Sequence, residues 1–187
     1  MQLLCVFSPL QVLTRPVSDP WTVSSPLSSR TIISKPDQPW EKTPYNRTIN
    51  VRLSSNEGPE QLINPTTNQN FIIYSAARSD NQNYCLGLLE LVAPYNPMDA
   101  NSWFKNTAGC VFYENPAEEA YGVGHASFVQ SPDDSEWWIV YHGMRDYVEG
   151  WSDRTIRTQQ FSFDARTGWP VFPRPGYGPY PVPSGQQ

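Results

Sequence analysis

The sequence is poor in the residues that hold structural metals or bind polyanions. It has three cysteines and two histidines, with no CxxC pair and no histidine-rich spacing, which argues against a structural zinc site. Only three lysines are present, and the 13 basic and 18 acidic residues give a net charge of −5. No basic cluster interrupts this balance, so neither nucleic acid nor an anionic membrane is expected as a partner.

Long apolar segments are also missing. No run approaches the roughly 18 apolar residues that a membrane-spanning helix needs. The first residues, MQLLCVFSPLQVL, are weakly apolar but have neither a positively charged start nor a small-residue cleavage site, so they are not a convincing signal peptide. The odd number of cysteines (Cys5, Cys85 and Cys110) leaves at least one thiol unpaired or paired outside the chain.

Helical periodicity is absent along nearly the whole chain. The 19 prolines and 11 glycines are spread along it and leave little room for helices. Only Pro116–Ala120 is expected to form a single helical turn. Short stretches rich in β-branched and aromatic residues, separated by polar turn sequences, predict strands and an all-β fold. These strands are expected at Glu60–Ile63, Phe71–Ala77, Tyr84–Val92, Ala126–Gln130, Trp137–His142 and Thr155–Phe163.

An internal repeat indicates which kind of all-β fold to expect. An LI pair, a polar turn and FIIYS recur later as an FV pair, a polar turn and WIVYH. The first residues of the pairs, Leu62 and Phe128, are 66 positions apart, and Tyr74 and Tyr141 are 67 apart. Equally spaced units of similar order are typical of β-propeller blades, although two unrelated β-meanders in a sandwich would give the same pattern. The 187 residues would hold nearly three such blades.

Several longer motifs occur in an order that resembles fungal members of glycoside hydrolase family 43. They are PWE, NEGPEQLI, FIIYSAARS, NPMDANSWFK, YGVGHASFVQSPDDSEWWIVYHG and DRTIRTQQFSFDARTGWPVF, and the resemblance runs from about Asp19 to about Pro175. Each short motif alone is weak evidence for this family, whereas the ordered set of motifs with blade-like spacing is specific to it. The resemblance implies a partial five-bladed β-propeller over residues 19–187, preceded by an unmatched segment of residues 1–18.

The same resemblance implies a glycoside hydrolase that cleaves arabinofuranosyl or xylosyl linkages with inversion, as an α-L-arabinofuranosidase or β-xylosidase in carbohydrate metabolism. Its partners would be arabinan, arabinoxylan or derived oligosaccharides, it would be secreted, and it would require no cofactor. Aromatic residues make up 13% of the chain, which suits the binding of sugar rings, although a β-rich core alone would also explain them.

Glu57 is the candidate general acid. It belongs to an EGP sequence, the motif that carries this acid in the family, and Gly58-Pro59 stiffens the turn that leads into the next strand. A glycosidic oxygen leaves poorly unless it is protonated, and general acid catalysis contributes roughly 10²–10⁴-fold. A lone EGP would instead favour an exposed turn glutamate. Glu60, three residues later, is the weaker candidate.

His125 stands at the equivalent strand entrance of the next blade. In the family the corresponding histidine faces the central channel, where it contacts the substrate or a hydrated metal ion, commonly calcium. Calcium prefers oxygen ligands, so the alternative is a neutral histidine that is hydrogen-bonded in the channel. His142, which follows two tryptophans closely, is expected to be a packing or hydrogen-bonding residue.

Arg154 and Arg157 are the candidate substrate-binding arginines, because family members carry an arginine near this position that reaches the bound sugar. The sequence does not separate the two, and a surface ion pair is the alternative for each. Three aromatic residues could stack on sugar faces or pack between blades: Trp40, Trp103 and Tyr121.

An inverting glycosidase needs a second carboxylate as the general base. The family's base and a further aspartate lie in the two blades that precede the region of resemblance, and neither Asp19 nor Asp37 matches them. The chain as given is therefore expected to show little hydrolysis by itself. Two classes of function stay open: an enzyme whose sequence is given incompletely, and a catalytically inactive carbohydrate-binding propeller fragment.

Overall fold

The computed structural model describes residues 2–7, 11–19, 22–23, 30–42, 54–147 and 150–186. Twelve strands form three antiparallel sheets, and no α-helix occurs among the described residues. The strands are β1 (Gln2–Phe7), β2 (Gln11–Asp19), β3 (Thr22–Val23), β4 (Thr31–Ser34), β5 (Asn56–Ile63), β6 (Asn70–Ala76), β7 (Cys85–Leu91), β8 (Trp103–Lys105), β9 (Tyr121–Gln130), β10 (Trp137–Met144), β11 (Arg154–Phe163) and β12 (Pro170–Val171). The predicted all-β class is confirmed.

Each sheet has four strands, and we call the sheets blades 1, 2 and 3. In blade 1, β2 pairs with β1, β3 and β4. In blades 2 (β5–β8) and 3 (β9–β12) every strand pairs with the next one along the chain. This up-and-down meander is the arrangement of a propeller blade. Strand β5 contacts β1 and β2 of blade 1 and β9 of blade 3, so the inner strands of the three blades lie together.

The structure contains all six predicted strands, and two of them begin several residues earlier than predicted. Strand β5 begins at Asn56 rather than Glu60, so Glu57 lies within a strand and not on the turn before it. The reason is a bulge: Gly58 adopts a positive φ of 51°, and the pairing with β6 shifts register there without ending. Strand β9 likewise begins at Tyr121 rather than Ala126.

Several of the strands that the sequence did not predict are short or contain proline. Strands β8 and β12 have three and two residues, and β2 contains Pro16, a residue that is rare inside strands. Strand β2 crosses the boundary expected at residue 18; that domain division stays a prediction. The expected helical turn near Pro116 is present as a 3₁₀ helix at Pro116–Glu118.

Strand β6 explains how blade 2 sits between its neighbours. Its side chains alternate between two faces, as strand geometry requires. Phe71 and Ile73 belong to a core shared with blade 3, whereas Ile72 and Tyr74 belong to a core shared with blade 1. Both faces are therefore buried, which accounts for the uninterrupted apolar run in this strand. This packing fixes blade 2, which includes the inner strand β5, between blades 1 and 3.

Candidate functional site

Glu57 is half-buried in the inner strand of blade 2 and has a specific partner. The hydroxyl of Tyr84 donates a hydrogen bond of 2.7 Å to Oε1 of Glu57. Tyr84 is fully buried and directly precedes β7, the third strand of the same blade. The carboxylate thus has a defined direction. Sequence reasoning missed Tyr84, because no local signal connects it to a residue 27 positions earlier.

His125 in blade 3 lies against the strand that carries Glu57. A Cβ atom added to Gly58 would lie 3.1 Å from the imidazole, so the absence of a side chain there lets the two inner strands approach. His125 has a positive φ of 50°, and its backbone N–H donates to Oγ of Ser75 in β6 at 2.7 Å. The structure therefore brings these two sequence-predicted residues together at the junction of blades 2 and 3.

His142 packs beside the same group of residues. Its ring stacks on that of Tyr84 with 5.5 Å between centroids and 6° between planes, and its centroid is 6.4 Å from that of His125. Burial lowers the pKa of His142 to about 4, and the charges of Arg154, His125 and Arg157 act in the same direction. Its Nδ1 atom is buried without a hydrogen-bond partner. His142 is thus uncharged near neutral pH, and it packs against Tyr84, which is one of the two roles expected from the sequence.

Arg154 is the arginine that lies near Glu57. It begins β11, and its guanidinium donates a hydrogen bond to the backbone carbonyl of Ser79, in the loop after β6. Burial lowers the pKa of Arg154, and the adjacent Tyr84, Glu57 and Asp80 side chains oppose that effect. The guanidinium of Arg154 therefore lies within electrostatic reach of the candidate acid.

Arg157 has a different environment. It is 2% exposed, and its guanidinium donates to the carbonyl oxygens of Met144 at 2.9 Å and Gly176 at 3.2 Å. Its Nε donates to Oγ1 of Thr155 at 3.3 Å, and the ring of Tyr177 lies 5.2 Å from its guanidinium carbon. These bonds tie the C-terminal segment to blade 3. The structure thus distinguishes two arginines that the sequence left equivalent.

The three aromatic residues proposed for sugar stacking differ in exposure. Trp103 is 8% exposed, and its Nε1 donates to the carbonyl of Pro97 at 3.1 Å, so it packs between blades 1 and 2. Trp40 is half-buried, with 6.5 Å between its centroid and that of Tyr74. Tyr121 is half-buried at the start of β9. Of these three, Trp40 lines a cleft.

That cleft has a volume of about 550 Å³ and is bordered by Tyr84, the tyrosine that holds Glu57. Aromatic, amide and charged side chains share its wall: Trp40, Lys42, Gln82, Asn83, Tyr113 and Glu114. The disulfide between Cys85 and Cys110 forms another part of the wall. This bridge links the start of β7 to the loop after β8 and leaves Cys5 as the odd cysteine of the chain.

A buried carboxylate anchors the residue before Glu57. Glu41 ends a 3₁₀ helix formed by the PWE sequence and is completely buried. It accepts hydrogen bonds from Nδ2 of Asn56 at 2.7 Å, from the Tyr74 hydroxyl at 2.8 Å and from Nζ of Lys105 at 2.9 Å. Burial and the charge of Glu41 raise the pKa of Tyr74 far above its usual value. The entrance of β5 is thus fixed by charge-assisted bonds.

Metal binding at His125 finds no support from its surroundings. Across the described parts of the chain, no group of three histidine, cysteine, aspartate or glutamate side chains is arranged to hold a metal ion. Calcium takes roughly six to eight oxygen ligands, whereas His125 offers a nitrogen. These residues do not fit a calcium ion by themselves, so no step below is routed through a metal.

Comparison with known proteins places this arrangement in a family. The family model "Glycosyl hydrolases family 43" matches residues 37–170. The chain is 35% identical over 174 residues to "Alpha-L-arabinofuranosidase B" of Pyricularia oryzae, covering 89% of the chain and 32% of that protein. It is 35% identical over 133 residues to "Extracellular exo-alpha-(1->5)-L-arabinofuranosidase" of Streptomyces avermitilis, covering 71% of the chain and 24% of that protein.

Solved structures agree with these sequence matches. The α-L-arabinofuranosidase from Lactobacillus brevis aligns with a TM-score of 0.72 and 25% identity, over 95% of this chain and 49% of that one. The chain therefore spans a third or less of the two curated relatives and about half of the solved structure. Among the residues described, no helix has the length and apolar character needed to cross a membrane. The chain belongs to glycosyl hydrolases family 43.

Proposed function

We propose that this protein is a glycoside hydrolase that cleaves arabinofuranosyl linkages of plant cell-wall polysaccharides, with Glu57 as its general acid. The observation that carries the proposal is the geometry at the start of β5. A half-buried carboxylate in the EGP sequence lies between a tyrosine donor at 2.7 Å and the nearby Arg154. Two relatives named arabinofuranosidases favour arabinofuranosyl over xylosyl linkages. The name of one of these relatives includes the word extracellular, which supports secretion.

The chemistry assigned to this chain is the departure of the leaving group. Glu57 gives its proton to the glycosidic oxygen while a water molecule attacks the anomeric carbon from the opposite face; the bond from that carbon to the oxygen breaks, and its electron pair stays on the oxygen. His125 and Arg154 are proposed to bind hydroxyl groups of the arabinofuranosyl unit that is released. An imidazole and a guanidinium both offer hydrogen bonds to hydroxyls.

The cleft beside Tyr84 is proposed to hold the remainder of the polysaccharide. Its tryptophan and tyrosine faces suit sugar rings, and the amides of Gln82 and Asn83 can donate to and accept from hydroxyls. The base that activates water in an inverting reaction is not assigned to any residue of this chain. That open assignment favours one alternative, a propeller that binds arabinan or arabinoxylan without hydrolysing it.

The test uses Glu57→Gln, with Glu60→Gln as the matched control, because Glu60 lies on the same strand and is exposed. Each variant is made in this chain and in a chimera that adds the preceding region of the Pyricularia oryzae relative. Turnover is measured on arabino-oligosaccharides, an aryl arabinofuranoside and an aryl xyloside.

Glu57→Gln is expected to lower turnover of the oligosaccharides by about 10²–10⁴-fold and to affect the aryl substrates less, because good leaving groups need less protonation. Glu60→Gln should change neither. Equal losses on both substrate types would contradict the acid role. Binding of arabinan without turnover, in the chain and the chimera alike, would favour the carbohydrate-binding alternative.

A further inference from the structure

Tyr84 is a buried, hydrogen-bonded residue to which the mechanism above gives no role. Residues from three other strands form the slot that encloses its ring. The ring of His142 in β10 stacks on it, and a Cβ atom added to Gly124 in β9 would lie 2.4 Å from its Cε1. The side chain of Ser75 in β6 lies beside its hydroxyl group. The ring therefore has one position, and its hydroxyl reaches Oε1 of Glu57.

The hydrogen bonds around Tyr84 also have a direction. The backbone N–H of His125 donates to Oγ of Ser75 at 2.7 Å. Ser75 lies beside the Tyr84 hydroxyl, and that hydroxyl donates to Glu57 at 2.7 Å. The hydrogen bond from Tyr84 therefore ends on one particular oxygen of the carboxyl group.

We propose that Tyr84 is a positioning residue for Glu57: by occupying Oε1 as a donor, it makes Oε2 the oxygen that carries the acid proton and delivers it to the substrate. This inference rests on the proposed function of Glu57. A free carboxyl group can hold its proton on either oxygen and can rotate. With Oε1 bound to Tyr84, the proton that leaves for the glycosidic oxygen comes from Oε2, and the resulting carboxylate keeps its bond to Tyr84.

Tyr84 does not itself give up a proton in this scheme. Burial raises the pKa of its phenol well above the usual value of 10, and the charge of Glu57 acts in the same direction. The hydroxyl therefore remains a donor before and after Glu57 releases its proton. The contribution of Tyr84 is orientation, and small losses of orientation at a reacting group can cost on the order of 100-fold in rate.

The first part of the test needs no activity and uses this chain. With tyrosine labelled by ¹³C at Cζ, the Tyr84 signal is identified by its absence in Tyr84→Phe. We expect Glu57→Gln to move that signal, because the acceptor of the Tyr84 hydroxyl changes, and Glu60→Gln to leave it in place. An unmoved Tyr84 signal in Glu57→Gln would overturn the proposal.

The second part measures hydrolysis in whichever form, chain or chimera, is active. Tyr84→Phe is expected to lower kcat on arabino-oligosaccharides by about 10–100-fold with little change in KM, and to lower it less on aryl arabinofuranosides. Tyr95→Phe, at a tyrosine that is 68% exposed, should have no effect. Equal losses on both substrates would mean that Tyr84 only supports the fold. A moved signal without hydrolysis by either the unmutated chain or the unmutated chimera would refute the proposed function while the hydrogen bond stands.

Discussion

Blades 2 and 3 have the same meander of four strands, but different interactions hold them together. Glu41, which is buried just before blade 2, accepts hydrogen bonds from Asn56, Tyr74 and Lys105 of that blade. A disulfide links the start of β7 to the loop after β8. The interior of blade 3 is a cluster of aromatic rings around Phe161, whose centroid lies 5.0 Å from that of Phe172 and 5.6 Å from that of Phe128.

This difference matters for the candidate site. Hydrogen bonds and ion pairs are directional, whereas apolar packing tolerates shifts of shape when volume is kept. The carboxylate that must point in one direction, Glu57, lies on the blade with the directional interactions. Blade 3 supplies His142 and Gly124, which pack against the tyrosine partner of that carboxylate, and His125, which lies against Gly58. Blade 2 thus supplies the tyrosine that bonds to the carboxylate, and blade 3 supplies the walls that hold this tyrosine in place.

The strongest way to break this contrast is to remove the buried charge of blade 2. Glu41→Gln is expected to lower the free energy of unfolding by about 3–5 kcal/mol, because it removes the buried charge that accepts hydrogen bonds from Asn56, Tyr74 and Lys105. Lys105 keeps its ion pair with the exposed Asp37. Urea denaturation measures the loss. The matched variant in blade 3 is Glu119→Gln, which removes an exposed ion pair with Arg145 and should have little effect. Similar losses in both variants would show that the blades do not differ in this way.

Removal of the disulfide should have the next largest effect. The two cysteines are 25 residues apart, and closing a loop of that size contributes about 3 kcal/mol in the chain-entropy description. Cys85→Ser with Cys110→Ser, in a Cys5→Ser background that prevents exchange, should show this loss in urea denaturation. Dithiothreitol should reproduce it in the unmutated protein. A midpoint that stays constant with and without reductant would contradict the prediction.

The smallest expected effect is a pH dependence where the two blades meet. The pKa of His142 is about 4 in the folded protein, below its ordinary value of 6.5. Between these values the unfolded chain binds a proton that the folded chain does not, so stability should fall as the pH drops from about 6.5 to about 4. The loss should be on the order of 1–3 kcal/mol. His142→Phe keeps an aromatic ring against Tyr84 and should make stability less dependent on pH in this range. An unchanged slope in the variant would show that His142 is not the source of the pH dependence.

The strands of blades 2 and 3 could be predicted from sequence because their signals are local. Strand β6 reads as an apolar run since both of its faces are buried, and polar turn sequences bound β10 and β11. The start of β5 was misplaced because Gly58-Pro59 is a turn signal by its residue types. In the structure the positive φ of Gly58 produces a bulge, and pairing resumes at Glu60.

The contacts that complete the candidate site could not be read from the sequence. Three cysteines allow three pairings, and only the fold selects Cys85 with Cys110. Tyr84 looked like the first residue of a strand, and its role as a partner of Glu57 depends on the register of β5, β6 and β7. The difference between Arg154 and Arg157 likewise depends on which carbonyl oxygens the fold presents to each guanidinium. Such contacts join distant segments, and no local pattern encodes them.

The slot around Tyr84 also has a consequence for the order of folding. The disulfide, Glu41 and Tyr84 all precede the first strand of blade 3 in the chain, so a nascent chain holds them before β9 has been synthesised. Gly124 and His142, which enclose the Tyr84 ring, are synthesised only later, with β9 and β10. We therefore expect blade 2 to acquire its fold first, while its glutamate becomes oriented only after blade 3 docks. A ribosome-bound intermediate would then already be folded in part but would not yet hold an aligned acid.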